Sequence, residues 1–154
     1  MTGPMVRRAT REDLPAIVAL LVDDPLGATR ESAGGADGEL TAYVTAFEAI
    51  DADPAHALVV LDDGGEVVGT LQLTLLPGLS RGGALRAQIE AVRVASSRRG
   101  QGLGEQLFQW AIDEARRRGA VLVQLTTDAS RGDAHRFYER LGFVPSHVGM
   151  KRTL

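Results

Sequence analysis

Residues 94–105 read VASSRRGQGLGE: the end of an apolar run, two arginines, three glycines at alternate positions and the opening of an amphipathic segment. Glycine costs a helix about 1 kcal/mol relative to alanine, so three at a helix start need a reason. Strand, glycine loop and helix together turn free backbone N–H groups and a positive helix end toward an anion. A P-loop requires G-x-x-x-x-G-K-[ST], and no lysine stands here. A dinucleotide fingerprint requires G-x-G-x-x-G, whereas Gly100, Gly102 and Gly104 are one residue too closely spaced and no β-α-β pattern follows. A tight connection without a ligand is the plain alternative.

The rest of the chain is patterned around this loop. Downstream, Leu103, Leu107, Trp110, Ala111 and Ala115 keep a 3.6-residue period that predicts a helix over 102–118, ended by Gly119. A strand over 85–94 precedes it. A strand over 121–126, a helix over 132–141 and closing strand material at 143–144 and 147–154 follow. Upstream, 57–61 and 66–76 form a hairpin about the turn 62–65, with Val67, Gly69, Leu71, Leu73 and Leu75 on one strand face. A first strand over 6–9 leads to Thr10 as N-cap, with Asp13 in capping-box position and a helix to about Val22. Residues 23–38 have no period and read as a loop; 39–50 read as a second helix with Leu40, Tyr43, Val44 and Phe47 on one face. The order β-α-α-β-β-β-α-β-α-β is that of one mixed α/β (α+β) domain over residues 1–154.

Composition bounds the function. With 17 basic against 20 acidic residues, a dedicated nucleic-acid binder is not expected. Only Lys151 among the basic residues is a lysine, and Arg98, Arg99, Arg116, Arg117 and Arg118 cluster in the C-terminal half. There is no cysteine, hence no disulfide, thiolate nucleophile or cysteine-held metal. No run of 18 apolar residues predicts a membrane span, and the N-terminal stretch lacks the apolar core of a signal peptide. The expectation is a cytoplasmic protein without a metal.

Arg99–Gly104 fits [QR]-x-x-G-x-[GA], and Phe137–Phe143 reads FYERLGF. Both strings, in this order of elements, resemble the GNAT superfamily of acyl-CoA-dependent N-acyltransferases. The resemblance implies a mostly antiparallel sheet with one splayed parallel strand pair. It implies acetyl-CoA as cosubstrate, its pyrophosphate on the N–H groups of Arg99, Gly100, Gln101, Gly102, Leu103 and Gly104, and its pantetheine arm along Val92, Arg93 and Val94. Glu90 stands where many relatives carry a glutamate. On an extended strand it shares a face with Val92 and Val94, and burial there would suit it as general base. An exposed carboxylate, a pair with Arg86 or a water-relayed base are the alternatives. Tyr138 occupies the tyrosine expected to protonate the CoA sulfur; a packed aromatic is its alternative. Where many relatives carry asparagine, seven residues before that tyrosine, stands Arg131, which could contact a CoA phosphate or pantetheine amide.

His56, His135 and His147 read as solvated or locally hydrogen-bonded, and Trp110 as core. Asp23, Asp24, Glu31 and Asp37 would give a mildly acidic mouth suited to an amine, a solvated loop being the default. The implied activity is acetyl transfer to a primary amine, a small molecule or peptide N-terminus, by direct attack in a ternary complex. A non-catalytic acyl-CoA sensor is the alternative. Relatives often pair through sheet edges, so a homodimer is compatible.

Overall fold

A computed structural model describes residues 2–24, 26–27 and 37–154, with 37–39 described by their backbone alone. The predicted loop over 23–38, including Glu31 and the side chain of Asp37, therefore lies largely outside the described residues. The elements are β1 (Met5–Arg8), a 3-10 turn (Arg11–Asp13), α1 (Leu14–Val22), α2 (Asp37–Ala52), β2 (His56–Asp63), β3 (Glu66–Leu76), a single helical turn (Ser80–Gly83), β4 (Arg86–Val94), a second 3-10 turn (Ser96–Arg98), α3 (Leu103–Arg117), β5 (Leu122–Gln124) and α4 (Gly132–Arg140). Thr10 and Asp13 form the capping box that opens the first helical segment. Gly119, at φ 86°, closes α3: its N–H meets the Arg116 carbonyl, and the Ala120 N–H meets that of Ala115.

The strands lie in sequence order in one sheet, antiparallel from β1 to β4 and parallel between β4 and β5. The α3 face holds the larger core: Val59 and Leu61 from β2, Leu71 and Leu73 from β3, Ala87 and Ile89 from β4, and Leu107, Phe108 and Ala111 from α3. The opposite face holds Val60 against Leu14, Ile17 and Phe47 of α1 and α2. Two bulges decide which residue faces which core. At the first, Leu61 pairs with Gly69 but Asp62 with Val67, so Val68 is the extra residue. Val68 therefore joins the α3 core while Val67 packs on the other face. Val67 does not share a side with Leu71 and Leu73 as unbroken alternation predicts.

The second bulge positions the site. Thr70 pairs with Arg93 but Gln72 with Glu90, so one residue of β3 faces two of β4. Ala91 absorbs the difference at φ 52°, a left-handed conformation costing an L-residue about 1–2 kcal/mol. Side-chain parity flips there, and Val92 and Val94 point to the same core as Ala87 and Ile89. Glu90 does not share their face; it is exposed, on the side of α1 and α2.

Only Arg86, Ala87 and Gln88 pair with β5, so the C-terminal half of β4 leaves its partner and the parallel pair splays. Residues 143–154 form no strand, contrary to expectation. A strand exists only against a neighbour, β5 pairs over three residues, and Val148 and Met150 stay about 90% exposed, at 90% and 92%.

Candidate active site

The glycine loop lies where β4 passes into α3. Gly100 and Gly102 sit at φ 79° and 77°, which a side chain adopts only with strain. Gly102 is the N-cap of α3 and no side chain caps it, leaving the first-turn N–H groups of a 15-residue helix available to a ligand. Gly104 differs: its φ is ordinary, and an added Cβ would touch the Phe137 ring at 3.6 Å, an ordinary contact. The Leu103 side chain is buried, so only its backbone faces outward.

The two arginines divide the labour. Arg98 is a brace, bonded to Asp63 at 2.6 Å and to Gln101 Oε1 at 3.1 Å. Arg99 is exposed and lines a cleft of about 590 Å³ with Val92, Arg93, Val94, Arg131 and Ala134, between the splayed half of β4 and the start of α4. Cationic side chains, free N–H groups and an unpaired strand edge suit a long ligand with an anionic head and an amide-bearing arm.

Asp23 is exposed but bonded, and Asp24 is not solvated. Asp23 accepts the Ser96 N–H at 3.0 Å, and this backbone bond, with the Ser96 side chain, holds its carboxyl below the usual range. Asp24 is buried and forms ion pairs with Arg93, at 3.3 Å, and with Arg131. Burial pushes its pKa up, but the Arg131 hydrogen bond and both guanidinium charges outweigh that and hold it below the carboxylate range. Arg131 thus reaches the cleft with its guanidinium anchored on Asp24. Nothing in the pattern of residues 23–38 singles out Asp24; its signal is the fold that returns it to β4.

Tyr138 lies one helical turn beyond Ala134 on α4, its ring edge-on to Phe108, Phe137 and Phe143 at 5.4–6.2 Å. Burial raises its pKa, against the opposing charges of Arg131 and Arg93 and a hydrogen bond with Thr127. The phenol consequently keeps its proton well into alkaline solution, as a proton donor must. Glu90 accepts a hydrogen bond from Gln88 at 3.2 Å, while Arg86 turns instead to Gln124. Glu90 lacks the burial expected of it and faces the opposite side of β4 from the aromatic cluster. The histidines are locally bonded: His56 to Thr74, His135 to the Asp128 carbonyl and His147 to Ser146. Trp110 packs against the larger core.

A second cavity, of about 170 Å³, opens on the other face at Ala91, between α1, α2 and strands β2 to β4. No motif announced it, because its walls come from five separated elements.

The chain resembles known proteins over most of its length. The family model described as Acetyltransferase (GNAT) family matches residues 16–143. An aminoalkylphosphonate N-acetyltransferase of Salmonella typhimurium is 34% identical over 97% of this chain and 90% of its own. Among solved structures, a transcriptional regulator from Bacillus halodurans C-125 superposes with a TM-score of 0.93 at 47% identity, covering 98% of this chain and 99% of that one. A putative acetyltransferase from Agrobacterium tumefaciens reaches 0.83 at 28% identity, with 97% and 99% coverage. Uncapped helix, splayed strand pair and sequence likeness agree: the chain belongs to the acetyltransferase (GNAT) family and is an acyl-CoA-dependent acetyltransferase.

Proposed function

We propose that the chain transfers an acetyl group from acetyl-CoA to a primary amine by direct attack within a ternary complex. The observation that carries this reading is the splay of β4 from β5, which leaves residues 92–94 as a strand edge lining a cleft with Arg99 and with Ala134 of α4, one helical turn before Tyr138. The N–H groups of 100–104 hold the cofactor pyrophosphate, aided by the Arg99 side chain, whose own N–H is turned to the Ser96 carbonyl at 3.5 Å, while residues 92–94 receive the pantetheine arm. Bound there, acetyl-CoA supplies an acyl group activated as a thioester.

Glu90 takes the proton that the ammonium must lose before its nitrogen forms the new C–N bond, directly or through a water. As the C–S bond breaks, Tyr138 gives its proton to the departing sulfur, and the second proton that the nitrogen sheds in becoming an amide restores the phenol through solvent. Base and acid work from opposite faces of β4, so acceptor and leaving group need not compete for space. The sequence has no cysteine to carry an acyl group between half-reactions. The likeness to an aminoalkylphosphonate N-acetyltransferase supports a small-molecule amine as acceptor.

Thiol release followed with acetyl-CoA across a panel of amines tests the reading. Turnover that requires an amine supports it. Tight CoA binding without turnover on any amine identifies an acyl-CoA sensor instead.

A further inference from the structure

The cavity beside Ala91 is built from Leu14, Ile17 and Leu21 of α1, Tyr43, Ala46, Phe47 and Ile50 of α2, and sheet residues including Leu58 and Gln72. No Lys, Arg, Asp or Glu is among its lining residues within the described part of the chain. At about 170 Å³ it slightly exceeds the roughly 150 Å³ of an apolar cavity known to take up benzene. Consecutive residues of β4 divide the two chambers: Ala91 lines this one, and Val92 and Val94 line the cofactor cleft. The left-handed residue Ala91 makes that division by breaking the alternation: Glu90 and Ala91 share the side of α1 and α2, and Val92 falls on the other. At the chamber's edge, Gln72 pairs across the sheet with Glu90. A carboxylate thus stands beside an apolar chamber that opens at the strand edge where acyl transfer is placed.

We propose that this chamber receives the side group of the acceptor, which is a primary amine bearing one uncharged apolar substituent of phenyl or branched-alkyl size. Burial of that substituent against α1 and α2 supplies the acceptor's affinity, and Glu90 meets its ammonium. An acceptor carrying a second charge on the substituent is disfavoured, because the described chamber walls offer no counter-charge. This inference rests on the acetyl-transfer reading for the acceptor's role, and on the cavity alone for its chemistry.

Two measurements on the full chain separate those supports. The first compares kcat/KM for ethylamine, isobutylamine, phenethylamine and aminoethylphosphonate, with acetyl-CoA saturating. The expected result is a rise of about tenfold or more from ethylamine to phenethylamine, and aminoethylphosphonate the poorest. Ala46→Phe, on an exposed stretch of α2 whose side chain fills the chamber, is expected to cut the phenethylamine-to-ethylamine ratio about tenfold, with the melting temperature as folding control. The second follows methyl NMR signals of Ile17, Leu21 and Ile50 as phenethylamine is added with CoA present. Shifts confined to these methyls with no turnover retain the chamber and remove the acetyl-transfer reading. Turnover that is flat across the series, or highest for aminoethylphosphonate, overturns the apolar acceptor. Absence of both shifts and turnover overturns both.

Discussion

The two chambers on either side of Ala91 are made by different means. The cofactor cleft is backbone and charge: two left-handed glycines, an uncapped helix, a bare strand edge and three arginines, one of them tied to Asp24 with another. The chamber proposed for the acceptor is side-chain packing, its walls drawn from two helices and three strands. A backbone site tolerates exchange of most side chains and fails at the few positions that need a special conformation. A packed site is the reverse, since small changes in volume retune it. The contrast teaches that one strand bulge can serve two binding chemistries, each set by its own kind of constraint.

The comparison breaks first at Tyr138, where the cleft depends on a side chain. Tyr138→Phe is expected to lower kcat roughly 10²–10⁴-fold while leaving the CoA dissociation constant near that of the parent. Equal turnover across pH 6 to pH 10 (about the range a phenol and an amine share) would remove the phenol from the chemistry. Next comes Phe108, 2% exposed, whose ring supports Tyr138, Phe137 and Phe143 together. Phe108→Ala should cost about 3–5 kcal/mol in denaturant unfolding. A smaller loss would mean the aromatic cluster closes over the gap.

Asp24 joins the end of α1 to the cleft, so it tests how independent the chambers are. Asp24→Ala removes the buried carboxylate that Arg93 and Arg131 share and is expected to cost about 3 kcal/mol of stability, read by urea denaturation, and to weaken CoA binding. Unchanged CoA affinity would show that the cleft keeps its shape without the ion pairs. The glycines sharpen the backbone side of the contrast. Gly102→Val forces a branched residue to φ 77°, with about 1–2 kcal/mol of strain and a correspondingly weaker CoA dissociation constant by calorimetry. Gly104→Ala, which meets only an ordinary contact with Phe137, should bind CoA nearly as the parent does. Equal losses at both positions would contradict the distinction.

The smallest effect lies away from both chambers. Glu114 on α3 has its carboxyl held down to about 2, chiefly by the Arg117 hydrogen bond, against burial and with help from Arg118. A folded pKa below the unfolded one gives stability present above roughly pH 4, lost as pH falls through about 2. Glu114→Gln should flatten the loss of melting temperature in that window. An undiminished acid slope would assign it to the other carboxyls held low, among them Asp13, Asp23, Asp24 and Asp62.

Much of the cofactor side was legible in the residue order because it is local. Gly100 and Gly102 lie between a strand and a helix whose periods are plain, and the α3 cap at Gly119 follows from the same pattern. Tyr138 was found through its resemblance, and the structure adds its aromatic supports. Glu90 was placed on the wrong face because strict alternation has no knowledge of a bulge; nothing about alanine at 91 signals a positive φ. Asp24 was read as solvated because its partners lie 69 and 107 residues away. The closing strand failed because alternation at 148 and 150 shows one-sidedness but not a partner.

Residue order thus carries the element succession as far as the last helix, the glycine turn that opens α3 and the likeness to the family, since each rests on contacts within a few residues. Which side of β4 a residue faces, which acid anchors Arg93 and Arg131, and that an uncharged chamber opens beside Glu90 are settled by packing. The reason is physical: bulges, buried ion pairs and cavities are properties of segments meeting from afar, and no local period encodes the meeting.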